Sequence, residues 1–149
     1  MPVPEGFQKM DSNSPFIQLI GPIYYRADDT SATFGVLVEE KHCNSSGRVH
    51  GGLIATVADI ALGNSIGHAG ITEEEREAWR STGKLTIQRK PMVTVSMATD
   101  YSGTAQVGDW IEVNVDVQHL GRSMAFANAY FEQGGQRIVR TSGVYRFLT

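Results

Sequence analysis

Residues 52–68, GLIATVADIALGNSIGH, constrain this chain more than any other stretch, because they are too long and too apolar for a strand. At helical spacing Leu53, Ile54, Val57, Ile60, Leu62 and Ile66 cover most of the circumference. A helix that is apolar nearly all round is enclosed by other structure and does not lie on a surface. Whatever else the chain forms must therefore wrap this segment.

The remaining sequence supplies the wrapping. Residues 92–101, 110–119, 123–132 and 136–147 are four candidate strands, separated by SGTAQVGD, LGR and QGG, all of which carry turn chemistry. In the second, Ile111, Val113, Val115 and Val117 face one way and Trp110, Glu112, Asn114 and Asp116 the other, the period of a half-buried antiparallel strand. Gly134-Gly135 favours a hairpin, and the series reads as a meander. ATFGVLVEE, residues 32–40, marks a first strand before the helix. Residues 1–15 hold three of the five prolines and no periodicity, so they read as an irregular arm, followed by a short helix at residues 16–20. TEEE at residues 72–75 has the form of a capping box opening a second, exposed helix, read as a solvated connection in preference to a lid. The expectation is a single α+β domain over residues 1–149, an antiparallel sheet around one long helix.

Asp59 stands in the middle of that helix, where an ionised carboxylate costs several kcal/mol unless partners satisfy it. Thr56, Asp59 and Gly63 form a narrow stripe of small or polar residues on the greasy rod, which points either to a site or to a structural hydrogen-bonding group. At the other end Gly51 and Gly52 open the helix, with backbone N–H groups and the positive end of the dipole available to an oxyanion; the alternative is a turn needing positive φ. His50 and Asn44 flank this end. Eight residues separate Gly51 from Asp59, about 12 Å along a helix. If both act on one substrate atom they must come from different chains, which predicts a dimer.

Other chemistries are disfavoured. The formal charge of -3 and the scatter of thirteen Lys and Arg do not suit a nucleic-acid backbone. Cys43 is the sole cysteine, so no internal disulfide forms, and as a small packed side chain it is preferred to a nucleophile with His42 or His50 as base. His68 and His119 lack metal-ligand spacing, and no metal is expected. Neither a signal peptide nor a membrane-spanning run is visible, so a cytoplasmic protein is expected.

The run HCNSSGRVHGGLIATVAD, followed by TVSMATDY, resembles the signature of the hotdog-fold thioesterases of the phenylacetate-degradation (PaaI-like) group: Asn44, Gly47, His50, Gly51, Gly52 and Asp59 all fit, and a weaker likeness spans residues 30–147. The resemblance implies an acyl-CoA thioesterase with its active site at a dimer interface, as a homodimer or a dimer of dimers. It casts Asp59 as catalytic carboxylate, Gly51 as the backbone donor to the thioester carbonyl, and Asn44 as a residue positioning substrate or nucleophile. Thr94 falls where the family often holds water with a hydroxyl, and Ser96, two residues on and expected on the same face, is the alternative. His50 and Gly52 are expected to line the substrate. Arg122, or else Arg89 or Lys90, would meet the phosphates of coenzyme A, which enters as part of the substrate and not as a cofactor. His42 matches a common family residue without an evident chemical role. One carboxylate is enough for this chemistry, because a thiol of pKa about 8.5 leaves as thiolate without a strong acid. Asp59 would serve as base toward water or attack the carbonyl itself. A hotdog dehydratase or hydratase and a non-catalytic acyl-CoA or aromatic-ligand binder are the rival readings. The acyl group, the choice of coenzyme A or acyl-carrier protein, and the pathway stay open.

Overall fold

The computed structural model describes residues 3–28, 31–82 and 91–148. A 19-residue helix, α2 (Gly51–Ala69), lies in the curve of a seven-stranded, wholly antiparallel sheet. The strands are β1 (Gln8–Lys9), β2 (Tyr24–Ala27), β3 (Ala32–Leu37), β4 (Met92–Tyr101), β5 (Trp110–Leu120), β6 (Met124–Gln133) and β7 (Gln136–Phe147). Two further helices, α1 (Pro15–Ile20) and α3 (Glu73–Thr82), flank α2 in the chain. Among the described residues no helix is long and apolar enough to cross a membrane.

The core forms where α2 meets the concave face of the sheet. Leu53, Ile54, Val57, Ala58, Ala61, Leu62 and Ile66 are buried against Phe34, Val36, Ile111, Val113 and Phe131. β6 presents Ala125, Ala127 and Ala129 to the helix, all essentially sealed from solvent. On β7 a Cβ at Gly143 would come within 2.9 Å of the Leu62 side chain. A floor of alanine and glycine lets the helix axis approach the sheet closely, and large residues on β3 and β5 fill the sides.

The sheet order, β1-β2-β3-β5-β6-β7-β4, corrects the expected meander. β5, β6 and β7 do run as one, joined at Gly134 and Gly135, whose φ values of 59° and 81° suit a tight hairpin. β4, however, pairs with β7 at the far edge, and β3 takes the place beside β5. The connection through α2 and α3 carries the chain across the sheet, so β4 lies beside neither β3 nor β5. The strand expected first is third, and it stops at Leu37 because the chain turns into a short 3₁₀ segment at Glu40–His42. The short helix at residues 16–20 is α1, capped by the Ser14 hydroxyl, which accepts from Ile17 N–H. The capping box also forms: Thr72 Oγ1 accepts from Glu75 N–H at 3.1 Å, and the Glu75 carboxylate accepts from Thr72 N–H at 3.3 Å. α3 is exposed, and Trp79 rests edge-on against His68 of α2.

Trp110 departs from the expected polar face of β5. It is 7% exposed because Phe7 and Tyr24 pack edge-on against its indole, with centroids 5.0 and 5.7 Å away, while Gly35 of β3 leaves room beneath it. A Cβ at Gly35 would overlap the indole ring. Gly35→Ala is therefore expected to lower stability by about 1–3 kcal/mol through overpacking, read as an earlier urea midpoint with an unchanged slope.

Candidate active site

In the third turn of α2, Asp59 emerges half-buried on the flank of the helix that faces β4 and β7. Its Oδ1 accepts two hydrogen bonds of 2.7 Å, one from the Thr94 hydroxyl on β4 and one from the Tyr145 hydroxyl on β7. The two donors stand directly opposite each other in the β4–β7 register. A carboxylate on an apolar helix is thus held by charge-assisted bonds from neutral donors. Tyr145 is 2% exposed, and burial, reinforced by the Asp59 carboxylate, holds its phenol well above the ordinary tyrosine range. It stays a donor at any working pH.

The carboxylate opens into a pocket of about 430 Å³ lined by Ile17, Asp59, Ile60, Gly63, Asn64, Pro91, Met92, Thr94 and Tyr145. Its walls combine the apolar Ile17, Ile60, Pro91 and Met92 with the polar Asp59, Asn64, Thr94 and Tyr145, and the Asn64 amide donates to Ile60 O at 2.8 Å. Asp59 and Gly63 of the expected small-residue stripe line this space. Thr56 spends its hydroxyl on Gly52 O, as a helix-interior threonine commonly does.

A register shift in β4 between Thr94 and Ser96 corrects the expectation that these residues share a face. Thr94 pairs with Tyr145, which points inward, but Ser96 pairs with Val144, which points outward. Val95 is the extra residue, and the bulge it makes sends the two hydroxyls to opposite sides of the sheet. Ser96 cannot substitute for Thr94 beside Asp59.

The N-terminal end of α2 is built differently from the expectation in two respects. Gly51 and Gly52 both take helical backbone, and neither has positive φ; that conformation belongs to Gly47, at 80°. Nor is the Gly52 N–H open to a ligand, because it donates to His50 Nδ1 at 2.8 Å, making His50 the helix N-cap. Among the hydrogen bonds of the described residues, the Gly51 N–H has no acceptor, while its carbonyl accepts from the Tyr101 hydroxyl at 2.6 Å. Asn44 is exposed, and its Oδ1 braces the loop by accepting from Ser46 N–H, Ser46 Oγ and Arg48 N–H. Its amide nitrogen remains on the surface of that loop.

His42 acquires a role that its sequence context did not suggest. Its Nδ1 accepts from Glu39 N–H at 2.9 Å, so Nε2 carries the proton and donates to Ile20 O, while its backbone carbonyl accepts from His50 N–H at 2.8 Å. This buried imidazole ties the end of α1 to the loop entering α2. Cys43 lies beside it in a bridge to Val49, partly buried. Arg122 is exposed at the β5–β6 turn; Arg89 and Lys90 lie outside the described residues. His119 stacks against Phe126.

Tyr145 and Tyr101 are the site residues that sequence reasoning missed. The alternation of Thr141, Gly143 and Tyr145 places the Tyr145 ring on the inner face, but only the β4–β7 pairing shows which carboxylate it meets.

A long helix wrapped by an antiparallel sheet, with one anchored carboxylate and an open helix N-terminal amide, defines a hotdog protein of the thioesterase type. Residues 46–139 match the family model described as Thioesterase superfamily, and the chain belongs to that family. It is 39% identical over 146 residues to the Pseudomonas aeruginosa protein named "Putative esterase PA0474", covering 97% of each chain. It is 33% identical over 91 residues to acyl-coenzyme A thioesterase 13 of Mus musculus, spanning 61% of this chain and 53% of that one. The solved structure of the PaaI protein from the E. coli phenylacetic acid degradation operon superposes with a TM-score of 0.69 at 16% identity, over 92% of this chain and 86% of that one, a likeness of fold.

The capping geometry yields a direct test. His50→Ala is expected to cost about 1 kcal/mol, whereas His50→Asn, a strong N-cap residue, retains most of the stability, as measured by urea unfolding.

Proposed function

We propose that this protein hydrolyses acyl-CoA thioesters to the free acid and coenzyme A, with Asp59 as the catalytic carboxylate. The observation that carries the reading is a carboxylate fixed by Thr94 and Tyr145 at the wall of a mixed polar and apolar pocket of about 430 Å³. Its apolar side chains, Ile17, Ile60, Pro91 and Met92, suit an acyl or aryl-acyl chain. Membership of the thioesterase superfamily and likeness to a protein named acyl-coenzyme A thioesterase support the same reaction class.

The chemistry follows from the parts. The Gly51 N–H, at the positive end of α2, polarises the thioester carbonyl and stabilises the oxyanion. Asp59 takes a proton from the attacking water, or attacks the carbonyl to give an anhydride that water then opens. In either route the carbon–sulfur bond breaks with coenzyme A leaving as thiolate, which needs no strong acid. Asn44, at the rim of the same helix end, positions substrate, and Arg122 is an exposed cation for the phosphates. No cofactor takes part. A cytoplasmic location accords with such a substrate.

One chain does not complete the site, because Gly51 and Asp59 are about 12 Å apart along α2. β4 supplies the geometry for completing it. At one end Thr94 holds Asp59, at the other Tyr101 holds the Gly51 carbonyl, and the strand lies at the edge of the sheet with Val93 and Val95 exposed. Antiparallel pairing of β4 with a second β4 about a two-fold axis at mid-strand brings the Asp59 end of one subunit against the Gly51 end of the other. The functional unit is then a homodimer with two composite sites, able to associate further into a dimer of dimers.

Thiol release from a panel of aliphatic and aromatic acyl-CoAs tests the reaction. Asp59→Asn is expected to lose on the order of a hundredfold or more in kcat. Gly51→Pro removes the amide proton and adds a pyrrolidine ring, at the helical position where proline is best tolerated, and is expected to lose on the order of 10²–10³. Refolding the two inactive variants together should restore turnover, because a mixed dimer holds one intact site. A mixture that stays inactive overturns the composite site, and equal turnover by wild type and Asp59→Asn overturns the catalytic role of Asp59.

A further inference from the structure

We infer that Tyr145 is a positioning residue for Asp59: with Thr94 it clamps the carboxylate through Oδ1, which makes Oδ2 the oxygen presented to substrate. The inference rests on the proposed thioesterase reading and specifies which atom of its carboxylate reacts.

Both donors reach the same oxygen at 2.7 Å, and among the described residues no donor reaches Oδ2. A carboxylate turns easily about its terminal bond, since torsions between sp³ and sp² atoms have broad minima. Two charge-assisted bonds on one oxygen, from strands that are themselves hydrogen-bonded in register, remove that freedom. The donors are rigid for identifiable reasons. Gly143 leaves the space occupied by the Tyr145 ring, where a Cβ would come within 2.9 Å of Tyr145 Cε1, and the bulge after Thr94 aims its hydroxyl inward. Burial keeps the phenol protonated, so Tyr145 donates continuously and exchanges no proton with substrate. A base or nucleophile held this way meets its water or carbonyl from one direction, and orientation of that kind is a large share of catalysis by a lone carboxylate.

The test uses Tyr145→Phe, Thr94→Ala, Thr94→Ser and the Tyr145→Phe/Thr94→Ala pair in the full chain. Tyr145→Phe keeps the ring and loses only the donor, so kcat is expected to fall about tenfold with KM and the thermal midpoint nearly unchanged. Thr94→Ser keeps a hydroxyl and should retain most of kcat, whereas removing both donors should cost about a hundredfold. An unchanged kcat in Tyr145→Phe, or a loss in which kcat, KM and the thermal midpoint all shift together, overturns the positioning role. A second measurement needs no turnover: burial raises both Tyr145 and Tyr101, so the clamp is read from the change on Asp59→Asn, where alkaline titration of tyrosinate absorbance should show the latest-ionising tyrosine shifting to lower pH. If wild type hydrolyses no thioester yet Asp59→Asn produces that titration shift, the proposed reaction fails and the clamp stands. If the shift is absent, the clamp fails whatever the turnover.

Discussion

The close seating of α2 on a floor of alanine and glycine governs everything else in this molecule. Ala125, Ala127, Ala129 and Gly143 keep the sheet surface low beneath the helix, and bulk is carried on β3 and β5 by Phe34, Val36, Ile111 and Val113. Hydroxyls projecting from β4 and β7 can then reach a short aspartate side chain on α2. With larger residues on β6 the helix would ride higher, and hydrogen bonds of 2.7 Å would not span the gap. The packing that stabilises the fold thus also sets the reach of the site.

That proximity also resolves the energetic problem of a carboxylate on an apolar helix. A charge withdrawn from water needs compensation by partners, and an arginine or lysine at Asp59 would have provided it by neutralisation. Two neutral donors satisfy one oxygen and leave the group a charged, accepting carboxylate. A third neutral donor, Tyr101, meets the Gly51 carbonyl, and among the described residues that residue's N–H has no acceptor. Both ends of α2 chemistry are held by hydroxyls from β4 or its neighbour, and neither is quenched by an opposite charge.

How much of this was legible in the sequence follows from the range of each interaction. α2, α1 and the four long strands announce themselves because apolar period, capping residues and turn glycines act over a few positions. β1 and β2 were not visible: strands of two and four residues carry no period, and YYRA reads equally as loop. The place of β4 beside β7 was hidden for a different reason. Strand order is decided by where the α2 crossover delivers the chain, which no local pattern encodes. In the site, Asp59 stood out because a charge violates its local context, and Thr94 came from family resemblance. Tyr145 violates nothing, since an inward tyrosine on a strand is ordinary, and its partner lies 86 residues away. The bulge that separates Thr94 from Ser96 was equally silent, because an extra residue in a ladder depends on the partner strand.

The edge position of β4 joins these strands of argument. An exposed edge of ten residues invites pairing, and proteins that must keep such an edge free usually place lysine or proline along it. MVTVSMATDY contains neither, and it exposes Val93 and Val95. Its single interruption, the bulge at Thr94, serves the carboxylate and does not guard the edge. Among the described residues no strand covers this edge, and β4 is bonded to Asp59 near one end and to Gly51 at the other. Under the proposed reading the two uses are one: antiparallel pairing removes the unprotected edge and, by the same symmetry, sets the carboxylate of one chain opposite the amide of the next.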